Sequence, residues 1–122
     1  MRDLKVGSKY RHFKGKDYVV IGFSNPITAH EFVIEEEKNF YSNLLNAQYT
    51  EGDQIIHVFV YTNDCIKYMH NLSEYNGKLV IYRALYDDYN LYARPYDMFL
   101  SEVDRVKYPN IEQKYRLEEI DG

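Results

Sequence analysis

The chain has 122 residues, of which 45% are hydrophobic and 28% are charged, and its formal net charge is −4. This length and composition are typical of one folded domain and exclude two ordinary cores or extensive disorder, so we expect a single domain over residues 1–122. No run of about 18 uncharged apolar residues occurs, which excludes a membrane-spanning helix. The first residues lack the apolar run of a secretory signal, and Cys65 has no second cysteine to pair with. Both features predict a cytoplasmic protein.

The charges are unevenly distributed along the chain. Residues 1–16 contain six Lys or Arg side chains against Asp3 alone, so the rest of the chain has an excess of acidic residues. An acidic surface repels the phosphate backbone of nucleic acids. We therefore expect no broad nonspecific DNA binding, unless the basic N-terminal edge faces the DNA.

The first elements predicted along the chain are strands. Residues 9–13 alternate polar and aromatic side chains, Lys14-Gly15-Lys16 suits a tight turn, and residues 18–23 are rich in strand-forming residues. This pattern predicts a β-hairpin. After the Asn25-Pro26 break, residues 30–34 suggest another short strand.

The middle of the chain changes character. Between Lys38 and Tyr49 the apolar positions fit one helical stripe, which predicts a short helix after the acidic run 35–37. Residues 55–61 are apolar on both faces and predict a buried strand. Residues 65–72 fit either a strand or a helix, and the periodicity leaves both open.

The last third again favours strands. Asn76-Gly77 is a hairpin-turn signal before residues 78–86, the strongest strand pattern in the sequence. Residues 91–94 are expected to pair back before Pro95 ends the strand. Further core residues are expected at Met98, Phe99, Leu100 and Val103. The tail beyond Pro109 is charged, and its pattern suggests a helix.

Many short strands with one helical interruption predict a mainly β fold, either a small barrel or a rolled antiparallel sheet. Two stretches carry a family resemblance: residues 7–18, and Tyr82-Arg83-Ala84-Leu85-Tyr86 through Arg94-Pro95 to Met98-Phe99. The chain resembles the bacterial family catalogued as domain of unknown function 1653, over roughly residues 7–23 and 70–103. The resemblance implies an SH3-like barrel in a bacterial cytoplasmic protein and carries no established activity.

Two departures from the family affect the expected architecture. The barrel elements are expected at about 7–25 and 70–106, with a charged tail at about 107–122. Residues 26–69 then form an enlarged middle segment that contains the short helix. No Trp precedes Arg94-Pro95, where the family often has one, and Tyr92 stands there instead.

Arginine and tyrosine side chains on the predicted hairpins could converge on one surface. Guanidinium groups bind phosphate or carboxylate in a bidentate manner, and tyrosine rings offer flat faces for a base or a peptide ring. The alternative is structural: Arg83 forms a salt bridge and the tyrosines fill the core. The candidate ligand-binding residues are Tyr10, Arg11, His12, Tyr82, Arg83, Tyr86, Tyr92 and Arg94.

These residues predict a noncatalytic binding module for a small anionic ligand, an RNA element or a peptide. One alternative is a small enzyme that acts on an anionic or nucleotide-like substrate, with His12 as acid or base and Arg83 or Arg94 as charge clamps. Another is an assembly protein that pairs through a β-edge or the middle segment. We expect no catalytic residue, no cofactor and no metal site, since His57, Asp64, Cys65 and His70 match no usual zinc spacing. Cys65 is expected to be simply buried.

Overall fold

The computed structural model describes residues 3–38, 40–62, 65–87 and 89–120, without the side chains of residues 36–38 and 40–42. Eight strands and two helices are assigned in this part of the chain. Their order is β1 (Lys9–His12), β2 (Asp17–Ile27), α1 (Ala29–Lys38), β3 (Phe40–Tyr49), β4 (Ile55–Thr62), β5 (Ile66–Asn71), β6 (Leu79–Ala84), β7 (Leu91–Pro95), α2 (Tyr96–Phe99) and β8 (Leu117–Ile120). Neither helix is long and apolar enough to cross a membrane.

Six of the strands close into a barrel. The order around it is β2-β5-β4-β3-β7-β6 and back to β2, while β1 and β8 extend the sheet beyond β2. Most neighbours are antiparallel, but β2–β5 and β3–β7 are parallel. The mainly β barrel predicted from the sequence is confirmed.

The length of β2 explains how two extra strands join a closed barrel. One edge of β2 pairs with β6. Its other edge pairs first with β1, at Asp17–Val19, and then with β5, at Ser24–Ile27. The first half of this edge therefore holds the extension and the second half closes the barrel.

Strand β6 separates two apolar cores, because both of its faces are buried. The barrel core consists of residues from β3, β4, β6 and β7: Ala47, Ile56, Val58, Leu79, Ile81 and Ala93. The outer core consists of residues from β1, β2, β6, α2 and β8: Tyr10, Val20, Val80, Tyr82, Phe99 and Leu117. Alternate residues of one strand thus contribute to different cores.

Residues 30–34 are helical, so the short strand expected there is wrong. The Thr28 hydroxyl accepts a hydrogen bond from the Glu31 amide, and the Glu31 carboxylate accepts one from the Thr28 amide. This reciprocal arrangement is a capping box, which starts a helix by satisfying its free amides. Phe32 then packs edge-on against Phe59 of β4, with ring centroids 4.7 Å apart. Helix α1 is thereby attached to the outside of the barrel.

The helix predicted over 38–49 is also wrong, because β3 occupies residues 40–49 and pairs with β4 along most of its length. Leu45 and Tyr49 pack against the barrel core, and Ala47 belongs to it. This period of two matches a strand, and the buried partner strand stabilises it. The single short helix expected in the middle segment exists, but it lies one element earlier, as α1.

The other elements divide between confirmed and corrected predictions. The hairpin over 9–23, the strand over 55–61 and the pairing of β6 with β7 are confirmed. The undecided residues 65–72 contain strand β5. Asn76-Gly77 forms no hairpin, since β5 pairs with β4 and β2 rather than with β6. The tail holds strand β8 instead of a helix, paired with β1.

Candidate functional site

Strand alternation decides which of the predicted site residues come together. Tyr10 and His12 lie two residues apart on β1 and so share a face. On the neighbouring hairpin, Tyr92 is the register partner of Tyr82, and Arg94 is the partner of Val80. Tyr10, Tyr82 and Val80 belong to the outer core. His12, Tyr92 and Arg94 are therefore directed to the same side of the sheet.

Tyr10 and Tyr82 are core residues. Each is only 2% exposed, and each packs edge-on against Phe99, with centroid distances of 5.4 and 5.2 Å. The Tyr10 hydroxyl accepts a hydrogen bond from the Lys5 amide at 3.1 Å. Burial raises the pKa of Tyr82 to about 12, so its hydroxyl stays neutral. Both rings are therefore buried in the outer core.

Tyr86 and Tyr92 belong to a cluster with Tyr18 and Tyr82. The Tyr18 ring lies 5.2 to 6.2 Å from the other three. The Tyr18 and Tyr86 hydroxyl oxygens are 2.6 Å apart, and burial together with this bond raises the pKa of Tyr86. Lys16 covers the Tyr86 ring at 4.6 Å. The cluster is thus held mainly by its own contacts.

Arg11 and Arg83 do not join the others. Arg11 forms a two-pronged salt bridge with Asp17 across the β1–β2 hairpin, at 2.8 and 3.1 Å. Arg83 donates a hydrogen bond from Nη1 to the carbonyl of Tyr89, at 2.8 Å. Tyr89 has a φ of 55°, so Arg83 ties down a tightly bent loop. Both guanidinium groups have partners within the protein. The partner of Arg83 is a carbonyl rather than the carboxylate of the expected salt bridge.

A cationic cleft lies where His12 and Arg94 meet. Its volume is about 230 Å³. Four of its side chains are Lys or Arg, against one Asp. The lining residues are His12, Phe13, Lys14, Arg94, Asp104, Lys107, Tyr108 and Arg116. Three parts of the sequence therefore form this cleft: the first hairpin, β7 and the chain before β8.

Pairing of β8 with β1 brings these parts together. His12 is the register partner of Leu117, and the Phe13 amide donates a hydrogen bond to the Arg116 carbonyl at 2.9 Å. Lys14 follows in the turn of the hairpin. Asp104 accepts hydrogen bonds from the amides of Val106 and Lys107 at 3.0 and 3.3 Å, which shapes the loop on the opposite side.

Arg94 has an unsatisfied hydrogen-bond donor in its side chain. Its Nε is buried and has no hydrogen-bond partner among the described residues. The rest of its guanidinium group interacts with the Tyr82 hydroxyl. This interaction lowers the pKa of Tyr82, although burial raises it by more. A buried donor without a partner costs about 1–3 kcal/mol. An acceptor supplied by a ligand would remove that cost.

His12 is a neutral hydrogen-bonding group in a positive environment. Burial, and then the charges of Arg94, Lys14 and Arg116, lower its pKa to about 4. Its Nδ1 accepts a hydrogen bond from the Lys14 amide at 3.1 Å, which requires the ring proton to be on Nε2. Its ring stacks on Phe13 at 4.4 Å.

Three cations of the cleft were not predicted. Lys14 was assigned only to a turn, and Lys107 and Arg116 lie in the segment treated as a charged tail. Lys14 and Lys107 both lie over the Tyr108 ring, at 5.6 and 5.5 Å. The excess of basic residues at 1–16 was the available signal for Lys14. No local pattern indicated that the tail returns to β1.

The other candidate groups do not form a site. Cys65 is exposed rather than buried. Ser24 and His70 form a hydrogen-bonded pair at 2.6 Å, but both are completely buried. His57 bonds Glu74 at 2.7 Å. Among the described residues no three metal-ligating side chains converge, and Asp64 lies outside those residues.

Comparison with protein families gives a match in the second half of the chain. Residues 65–118 match the model of the family described as protein of unknown function, DUF1653. Comparisons with curated proteins and with solved structures give no significant match. The matched segment holds Arg94, Lys107 and Arg116, while the first hairpin lies outside it, and the bacterial and cytoplasmic setting stays a prediction. Over residues 65–118, the chain is similar to the DUF1653 family, which supports the resemblance predicted from the sequence.

Proposed function

We propose that this protein is a noncatalytic binding module whose cationic cleft binds the phosphate group of a small ligand. The observation that carries the proposal is the composition of the cleft: four cationic side chains face a single aspartate, and the buried Nε of Arg94 has no described partner. Concentrated positive charge with a free donor favours an anion with several acceptor oxygens.

The charge of the cleft favours phosphate over carboxylate. Two of the cations are arginines, Arg94 and Arg116, whose planar groups match the oxygens of a phosphate in a bidentate manner. A phosphate monoester can have two negative charges at neutral pH, whereas a carboxylate has one. With His12 neutral, the lining still has a surplus of positive charge, which a dianion neutralises more fully.

The size of the cleft favours a small ligand over RNA. Its volume of about 230 Å³ is below the range of roughly 300–1,000 Å³ usual for drug-sized ligands. Outside residues 1–16 the chain has an excess of acidic residues, which disfavours an extended polyanion. A terminal phosphate meets both conditions.

The partners of His12 favour binding over catalysis. A general base is usually oriented by a carboxylate or a similar group behind the ring. Here the Nδ1 of His12 bonds the Lys14 amide instead. Asp104, the one carboxylate of the cleft, accepts hydrogen bonds from two amides of its own loop.

The proposal is tested by titrating the protein with inorganic phosphate, a nucleoside monophosphate, acetate and a short RNA, with binding followed by calorimetry and by backbone amide NMR shifts. We expect phosphate and the nucleotide to bind with shifts around the cleft, and acetate to bind at least tenfold more weakly. Arg94→Gln and Arg116→Gln should each weaken phosphate binding at least tenfold, equivalent to about 1.4 kcal/mol.

Arg11→Gln is the matched control, because Arg11 is next to His12 in sequence but belongs to the salt bridge with Asp17. Its phosphate affinity should equal that of the wild type. Circular dichroism confirms that each variant is folded. The proposal is wrong if phosphate does not bind, if Arg11→Gln weakens binding as much as Arg94→Gln, or if the RNA alone binds.

A further inference from the structure

We propose a second, independent ligand site in the slot between β2, β5 and α1, suited to a small molecule with an apolar body and an anionic head group. The slot has a volume of about 580 Å³, within the range of small-molecule sites. None of its lining residues lines the cationic cleft.

The slot results from the way β2 shares one edge between two partners. Pairing with β1 reaches Val19, and the parallel pairing with β5 begins at Ser24 opposite Tyr68. Residues 21–23 of β2 lie between these two ladders. On β5, Ile66 and Lys67 precede the β2 ladder and pair only with β4. The two barrel strands therefore separate at this point and leave an opening.

Gly22 allows one wall of the slot to form. A Cβ atom at this position would lie 2.5 Å from the ring of Tyr68, which is well inside contact distance. The absent side chain lets the Tyr68 ring lie against the backbone of β2, next to the bulge between Val20 and Gly22. The slot is a consequence of local chain geometry rather than of loose packing.

Most of the lining is apolar, and part of it is exposed. The side chains of Ile21, Phe23, Ile27 and Met69 contribute to it. At the opening, Val6 is 58% exposed and Ile66 is 60% exposed. Covering such side chains with an apolar ligand removes apolar surface from water and so stabilises the complex.

The charges at the slot select the head group. Lys67 pairs with Glu35 at 3.8 Å. Lys78 forms no salt bridge with any described residue, and its Nζ is held 4.4 Å from the Tyr96 ring and 5.0 Å from the Phe23 ring. This positions one uncompensated cation beside an apolar surface. A carboxylate joined to an alkyl chain complements both features.

The test uses octanoate, 1-octanol and octylamine as probes and follows amide shifts by NMR. We expect saturable shifts at residues 21–23 and 66–69, with octanoate bound most tightly and octylamine most weakly. Lys78→Gln should lower octanoate affinity at least fivefold and leave octanol affinity unchanged. Ile66→Gln, at an exposed rim position, should weaken both.

Lys16→Gln is the matched control, since Lys16 is also held over a tyrosine ring, at 4.6 Å, but lines a different surface. It should bind octanoate like the wild type. The proposal is overturned if octanoate gives no saturable shifts at the slot, if Lys78→Gln leaves its affinity unchanged, or if octylamine binds as tightly. Phosphate titration reports on the other cleft, so either site can fail without the other.

Discussion

Two histidines in this protein, His12 and His70, both have a lowered pKa but lie in different surroundings. Burial lowers the pKa of His70 and is also the largest cause of the lowered pKa of His12. His70 is completely buried and has a partner for each ring nitrogen, Ser24 at 2.6 Å and the Tyr75 carbonyl at 3.1 Å. His12 is half-buried and lies among cations, one of which has an unpartnered buried donor.

For both histidines the lowered pKa results mainly from burial. The neighbouring groups decide whether such a residue is structural or belongs to a candidate site. Around His70 the described polar atoms satisfy one another, as in a structural pair. Around His12 the positive charges exceed the negative ones and remain available. The first region supports the barrel, and the second is where we propose that an anion binds.

The largest expected effect is the loss of the buried pair. His70→Ala should lower the free energy of unfolding by about 3 kcal/mol, because it leaves a cavity and an unpaired Ser24 hydroxyl. His12→Ala should cost less than about 1 kcal/mol, since the ring is half-buried and its amide partner can bond water. Urea denaturation measures both. Equal losses for the two variants would contradict the contrast between the regions.

A smaller effect is expected in the pH dependence of stability, because solvent screens the charges around the half-exposed His12 ring. Because the folded pKa of His12 is about 4 and the unfolded value is about 6.5, the unfolded chain binds more protons between these values. Stability contributed by neutral His12 is complete above pH 6.5 and declines as the pH falls towards 4. Denaturation midpoints across this window should show a shallower decline for His12→Asn than for the wild type. An unchanged slope would show that His12 titrates normally.

The smallest expected effect is the loss of a hydroxyl contact in the tyrosine cluster. Tyr86→Phe removes the hydroxyl that contacts Tyr18 at 2.6 Å and should cost about 1 kcal/mol. Tyr89→Phe is a control at a tyrosine that is 57% exposed, and it should change stability by less than about 0.5 kcal/mol. Thermal denaturation compares the two. A Tyr86→Phe variant as stable as the control would mean that solvent satisfies this hydroxyl equally well.

Strands with a strong local pattern could be predicted from the sequence. The hairpin around Lys14-Gly15-Lys16 and the strands over 55–61, 78–86 and 91–94 combine β-forming residues with turn residues, and local interactions suffice for them. The capping box of Thr28 and Glu31 was an equally local signal for α1 and was overlooked. A different reason applies to β3, whose apolar residues fit both periods, so that only pairing with β4 decides.

The cleft could be predicted only in part for a related reason. His12 and Arg94 were recognised because each lies on a predictable hairpin. Arg116 and Lys107 enter the cleft because β8 pairs with β1 from the opposite end of the chain. Such long-range pairing leaves no periodic trace in the sequence. Arg11 and Arg83 were included because residue type alone does not reveal a partner such as Asp17 or the Tyr89 carbonyl.

The most direct test of the proposed anion site is an NMR titration of the His12 and His70 imidazoles with and without inorganic sulfate, a tetrahedral dianion that keeps its charge in this pH range. In the free protein the pKa of His12 should be about 4. Bound sulfate should raise it, because the anion offsets the repulsion from Arg94, Lys14 and Arg116, while His70 should not respond. A His12 pKa that sulfate leaves unchanged, or an equal shift at both histidines, would contradict an anion site at the cationic cleft.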